Sequence, residues 1–237
     1  MMSGKRWGYV VQFFCLLVFL GMSPFLIKMD GRKTRSVSSD SVRSQNVSDE
    51  VKPVVALTFD DGPNASSTPI LLDGLKERKV RATFFLIGEN VEKDENEKIV
   101  KRMYEEGHLI GNHTYTHCNL SKLETGEAKK ELEQTDTVIE KITGKQPVFV
   151  RAPYGELPAD SEQDLSRIYI GWTVDPLDWM TEDAGAVVKT VVEEINPGDV
   201  ILLHDCYPSS VQAAIRIVDL LQGKGYEFVT VDHLIMD

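Results

Sequence analysis

Short apolar runs recur along the chain from residue 51 onward, and this alternation limits the fold more than any other feature. The runs are Val54 to Phe59, Ala82 to Ile87, Leu109 to Asn112, Val148 to Arg151, Tyr169 to Val174, Val200 to His204 and Phe228 to Val231. Runs of this length, rich in Val, Ile, Leu and Phe and bounded by turn residues, read as buried strands. Between them, residues 124–144 and 184–198 carry a helical pattern that closes near a glycine. Strands that alternate with helices pair in parallel, and seven of them suggest a (β/α) barrel. No segment of 20 to 50 residues repeats, which excludes a solenoid.

Polar residues of unusual type fall where these runs end. Asp60 and Asp61 follow the first run, His113 and His117 the third, Arg151 ends the fourth, Asp175 and Asp178 follow the fifth, and His204 ends the sixth. In a parallel barrel all those ends open on one face, where active sites are built. Any one of them taken alone reads as an ordinary strand cap; five in succession read as a site. Two adjacent carboxylates repel unless a cation or a shared proton compensates them, so the Asp60–Asp61 pair asks for a metal. In "HTYTH" His113 and His117 stand four apart, close enough to reach one ion if the segment turns helically. Two imidazoles and one carboxylate leave positions free for water and substrate, the pattern of a catalytic site. One of Asp60 and Asp61 is therefore expected to bind the metal, and the other to take a proton from its water.

The N-terminus is different in kind. Residues 7–27 contain no charged side chain, and as a helix they would span about 31 Å, close to the thickness of a bilayer's hydrocarbon layer. Residues 1–29 are read as an uncleaved membrane anchor. A cleaved signal peptide is the rival, but the apolar stretch is long for one and Pro24 follows its best small-residue pair, Gly21 and Ser23. The positive-inside count leans against export, with Lys28, Arg32, Lys33 and Arg35 on the distal side, and the later chemistry overrules it. Residues 30–50 hold six serines and no aromatic residue, and read as a flexible tether. The remainder, residues 51–237, carries 19 basic and 33 acidic residues, which excludes a nucleic-acid binder.

The motifs "TFDDGP", "HTYTH", "RAPYG", "DPLDW" and "LLHD" occur in the order and spacing of the polysaccharide deacetylases, carbohydrate esterase family four, and from residue 51 onward the chain resembles that family. Its C-terminal stretch resembles that of the peptidoglycan N-acetylglucosamine deacetylases. The resemblance implies a deformed (β/α) barrel that removes acetyl groups from N-acetylated sugars with a divalent metal, commonly zinc, with cobalt, nickel or manganese as substitutes. Carried over by position, it makes Asp60 the general base and Asp61, His113 and His117 the metal ligands. It makes Arg151 the residue that holds the base, and gives the backbone N–H of Tyr154 to an oxyanion hole. Asp178 resembles the partner of the acid His204, a role Asp175 could share, and Trp179 lines the pocket.

Residues 155–169 are short for a full βα unit, so the barrel wall is expected to be thin there. Cys118 and Cys206 either pair or stay free. His108 and His233 have no motif role. The expected substrate is the N-acetylglucosamine of peptidoglycan, with chitin oligomers, acetylated xylan and small amides or cyclic imides as alternatives. The expected place is the cell membrane, with a single pass, an extracellular catalytic domain and no partner beyond the glycan and the membrane, as a monomer.

Overall fold

The computed structural model describes residues 52–93, 95–159, 161 and 164–236. The expected anchor and tether lie outside the described residues, and among the described residues no helix is long and apolar enough to cross a membrane.

Seven parallel strands form one curled sheet: β1 (Val54–Asp60), β2 (Thr83–Leu86), β3 (Leu109–Asn112), β4 (Phe149–Val150), β5 (Ile168–Tyr169), β6 (Val200–His204) and β7 (Glu227–Val229). Six of them run in the order β5-β4-β3-β2-β1-β6, and β7 pairs with the first half of β1. The helices are α1 (Thr68–Glu77), α2 (Gly88–Val91), α3 (Asn96–Glu105), α4 (Thr125–Thr143), α5 (Ala184–Glu194), α6 (Pro208–Gly223) and α7 (Val231–Met236). Local chemistry sets their ends. Pro69 stands in the first turn of α1, where its missing N–H costs nothing, and Gly144 closes α4 at φ 73°. Asp183 caps α5 by accepting from Gly185 N and Ala186 N.

Strand alternation separates two cores. Val55, Leu57 and Phe59 of β1 and Phe84 and Leu86 of β2 join the helices in the larger core, with Phe59 stacked on Phe84 at 5.2 Å between centroids. Ala56 and Phe85 belong instead to a smaller core with Phe149 and Val231. Ala56, Thr58 and Asp60 share one face of β1 because side chains alternate along a strand. That face runs from apolar to hydroxyl to carboxylate as it approaches the C-terminal edge.

Two expectations need correction. The fifth strand stops at Tyr169 rather than reaching Val174; Val174 makes only an isolated parallel bridge to Ile201, so the segment after β5 meets β6 through a few backbone bonds and not through a ladder. Gly171, which packs no side chain, interrupts the run and lends its carbonyl to Arg151. Among the described residues between β4 and β5 there is no α-helix, which leaves the wall thin as expected. Val231 begins α7 instead of ending β7, its N–H bonded to Thr83 Oγ1 at 3.1 Å.

Asn112, fully buried at the end of β3, ties this edge to α4. Its Nδ2 donates to Leu132 O and Asp136 Oδ1, its Oδ1 accepts from Thr114 N, and Asp136 Oδ2 accepts from Arg167. Asn112→Ala leaves Thr114 N and Asp136 Oδ1 without these partners in a dry environment. We expect a loss of about 2–4 kcal/mol in urea denaturation; a midpoint unchanged from wild type would show that the network is not structural.

Candidate functional site

The register brings the sequence-predicted residues onto one edge. Asp60 is opposite His204 across β1 and β6, and opposite Phe85 across β1 and β2; Asn112, one residue before His113, is opposite Val150, one residue before Arg151.

Among the described residues, Arg151 is the largest fully buried side chain. Its guanidinium donates to Asp60 Oδ1 at 2.9 Å, Thr58 Oγ1 at 2.6 Å, Ile170 O at 3.2 Å and Gly171 O at 2.9 Å, and stacks 4.2 Å above the Phe85 ring. Burial lowers its pKa, and the Asp60 carboxylate works against that fall. An arginine so engaged keeps its charge and fixes one oxygen of Asp60.

Asp61 turns the other way. Its backbone is left-handed, φ 70°, yet the two consecutive carboxylates stay close, with Asp60 Oδ2 3.7 Å from His113 Nε2. Asp61 Oδ1 lies 3.4 Å from His113 Nε2 and 3.2 Å from His117 Nε2, and is buried with no hydrogen-bond partner. The three ligand atoms fall within 4.8 Å of one another. An orphaned buried carboxylate oxygen facing two imidazole nitrogens fits a divalent cation, whose charge would compensate the carboxylate. Burial alone would raise the Asp61 carboxyl, but His113 and then His117 and His204 outweigh it and hold the group below the usual carboxylate range. His113 Nδ1 lies 2.7 Å from Arg151 O, which makes it the protonated nitrogen and leaves Nε2 a free lone pair. His117 Nδ1 is 3.3 Å from Tyr154 Oη, with the two rings 5.0 Å apart.

Asp178 and Asp175 behave differently. Asp178 is buried and gives both oxygens to His204, Oδ2 to the backbone N–H and Oδ1 to Nδ1, each at 2.8 Å. Asp175 Oδ1 accepts from Leu177 N instead. Burial pulls the His204 pKa down, but the bond and charge of Asp178, with Asp60 and Asp61 beyond, push it up to about 9. His204 is therefore an imidazolium near neutral pH, with Nε2 3.9 Å from Asp61 Oδ2. Trp179 and Tyr154 are more than half exposed at the rim. Cys118 and Cys206 are both free, and burial pushes the Cys206 thiol up to about 12. His108 is a core residue that accepts from Ala82 N at 3.0 Å, its pKa lowered by burial to about 4. His233 is exposed on α7.

Several supports were not legible in the sequence. Glu131, from α4, accepts from Tyr115 N and Thr116 N and so holds the loop that carries His113 and His117. Asn90 donates to Asp61 O at 2.7 Å. Among the described residues, five of the six non-glycine residues with positive φ are Asp61, Thr114, His117, Tyr154 and Leu177, all in loops of this edge. Such backbone costs about 1–3 kcal/mol per residue and persists only where surrounding contacts over-determine it. Asp and His enter this region more readily than most side chains, but Thr, Tyr and Leu do not, so residue type alone did not mark these positions.

Comparison with known proteins gives this geometry a family. The sequence model described as polysaccharide deacetylase matches residues 48–170. A peptidoglycan-N-acetylglucosamine deacetylase of Bacillus cereus is 42% identical over 192 residues, which cover 77% of this chain and 68% of that protein. The peptidoglycan-N-acetylmuramic acid deacetylase PdaC of Bacillus subtilis is 39% identical over 194 residues, 82% of this chain but only 41% of the relative's length. The solved structure of PdaC superposes with a TM-score of 0.74, covering 78% of this chain and 90% of that one at 39% identity. A family 4 acetyl xylan esterase of Clostridium thermocellum, in complex with a cobalt ion, gives a TM-score of 0.72 at 34% identity, covering 76% and 89%. With the matched model spanning more than half of the chain and the curled parallel sheet shared with these structures, the chain belongs to the polysaccharide deacetylase family.

Proposed function

We propose that this chain hydrolyses the N-acetyl group of N-acetylglucosamine in peptidoglycan, using one divalent metal, zinc in the first instance, held by Asp61, His113 and His117. The observation that carries the reading is the unpartnered Asp61 Oδ1 between two imidazole nitrogens, beside a second carboxylate that Arg151 already holds. When bound, such a metal acidifies a water and polarises the acetyl carbonyl.

The chain's own groups do the rest. Asp60 takes the proton of the attacking water through the oxygen that Arg151 leaves free, and Arg151 keeps that carboxylate ionised and aimed. The backbone N–H of Tyr154, in its left-handed turn, serves the developing oxyanion. An amine is a poor leaving group, so it needs a proton as the C–N bond breaks; His204 Nε2 donates it while Nδ1 stays on Asp178. Trp179 offers a sugar face an apolar surface at the rim.

The names of the relatives support peptidoglycan over chitin or xylan, although this chain spans less than half of PdaC. The N-terminal segment supports the place. Residues 1–29 act as a single-pass anchor and residues 30–50 as a tether, with an r.m.s. reach of about 25 Å and about 70 Å fully stretched. A catalytic face so confined, outside the cell, meets newly exported wall polymer rather than soluble fragments.

The acid assignment fixes a pH dependence. The rate must fall as pH rises through about 9, where His204 loses its proton. Asp178→Asn removes the largest of the contributions that raise this pKa and leaves only the charges of Asp60 and Asp61 against burial, so the alkaline limb moves toward acid. His204→Ala should lower kcat by about 100 to 10,000 fold with metal content retained. A His204→Ala protein that cannot bind metal, or an Asp178→Asn limb unmoved from wild type, contradicts the assignment.

The substrate is tested in the wall. Deleting the gene, digesting the purified wall and weighing the muropeptides should show fewer deacetylated glucosamine residues and greater sensitivity to lysozyme. An unchanged deacetylated fraction, under conditions where the protein is present, removes peptidoglycan as the substrate and leaves the deacetylation chemistry standing.

A further inference from the structure

Asp205 follows His204 at the end of β6 and is fully buried, yet no step above uses it. Its Oδ2 accepts from Thr68 Oγ1 at 2.5 Å, and that hydroxyl accepts from Asn64 N at 2.8 Å. Its carbonyl accepts from Ser67 Oγ at 2.6 Å. Its Oδ1 is buried with no hydrogen-bond partner. A buried carboxyl group with one oxygen unpaired is costly, so its place here calls for a reason.

The Asp205 side chain fills the space beside Gly62. A methyl group at Gly62 would stand 2.5 Å from both Asp205 carboxylate oxygens and 2.8 Å from Cγ. Gly62 is not among the glycines with positive φ, so the backbone of this turn does not itself require glycine. The requirement comes from Asp205. Gly62 directly follows Asp61, and the same turn is held from the other side by Asn90 Nδ2 on Asp61 O at 2.7 Å and by Ile87 N on Gly62 O at 3.0 Å. The turn is therefore clamped between the exit of β2 and the carboxylate of Asp205, and any shift of Gly62 moves Asp61.

We propose that Asp205 is a positioning residue: through its contact with Gly62 it sets where Asp61 presents its oxygen to the metal, and it couples the strand end that bears His204 to the ligand turn after β1. This rests on the reading of Asp61 as a metal ligand.

The test is calorimetric titration of the chelator-stripped full chain with zinc, with thermal unfolding measured beside it, for wild type, Asp61→Ala, Gly62→Ala, Asp205→Ala and the double variant. Gly62→Ala should weaken zinc binding by about 10 to 100 fold, the usual effect of disturbing the support of a ligand, while the protein stays folded. Asp205→Ala should weaken it too. In the double variant the new methyl enters the volume that the carboxylate vacates, so zinc should bind more tightly than to Gly62→Ala alone, a coupling that two independent structural defects do not produce. If Asp205→Ala does not fold, Asp205→Asn keeps the shape and the bond to Thr68 and should hold zinc within about threefold of wild type, well inside the range for lost support. A Gly62→Ala protein that binds zinc like wild type overturns the proposal, as does a double variant whose losses multiply. Asp61→Ala separates the two readings: if it keeps zinc, the ligand assignment itself fails, and if it loses zinc while Gly62→Ala does not, only the positioning role fails.

Discussion

The pairing of a fully buried arginine with a carboxylate at the mouth of the sheet is the constraint around which this edge is organised. Stripping a guanidinium of water costs several kcal/mol, which one ion pair does not reliably return. Arg151 avoids the deficit by placing donors on Asp60, Thr58 and the Ile170 and Gly171 carbonyls, with its plane over Phe85. Those partners come from β1, β2 and the segment after β5, while Arg151 itself follows β4. The same residue offers its carbonyl to His113 Nδ1. One side chain and its backbone therefore fix both the carboxylate proposed as base and the tautomer of a proposed metal ligand.

Division of labour between Asp60 and Asp61 follows from backbone geometry. Asp60 is the last residue of β1 and keeps the strand's inward direction; Asp61 is left-handed and turns its carboxylate toward the two imidazoles. Adjacent like charges are tolerable because Arg151 holds one oxygen of Asp60, while His113 Nε2 lies 3.7 Å from Asp60 Oδ2 and 3.4 Å from Asp61 Oδ1, with His117 beside Asp61. A third pair, Asp178 with His204, stands across the same edge and holds the proton proposed for the leaving amine. Carboxylates in distinct surroundings thus take distinct roles, as unlike environments drive apart the properties of chemically identical groups.

Much of the fold was legible because a parallel sheet covered on both faces needs continuous apolar runs, and those runs stand out in "VVALTF" and "VILLH". The third and sixth strands match the expected bounds, and the helix at Thr125–Thr143 ends at the glycine that marks it. The fifth strand did not, since apolar content alone cannot show that Gly171 breaks the ladder and that Val174 keeps only a bridge. The site residues stood out by type, a repeated carboxylate, paired histidines and an arginine at a strand end, and the fold brings them to one edge. What holds them there was silent in the sequence. Glu131, Asn90 and Asn112 are ordinary polar residues until tertiary contact gives them a backbone group to bond. Asp205 was visible in "LLHD" but carried no role until the space above Gly62 was known. The choice between Asp175 and Asp178 as partner of His204 needed coordinates, since both lie within a few residues of one turn.

The central claim is that two neighbouring aspartates do different chemistry, one on the metal and one on the proton. The most direct measurement is metal content and acetate release in parallel, on N-acetylglucosamine oligomers, for wild type, Asp60→Asn and Asp61→Asn proteins. The account predicts that Asp60→Asn carries one equivalent of metal and releases almost no acetate, while Asp61→Asn loses both together. An Asp60→Asn protein that is metal-loaded and fully active, or an Asp61→Asn protein that retains its metal, would contradict it.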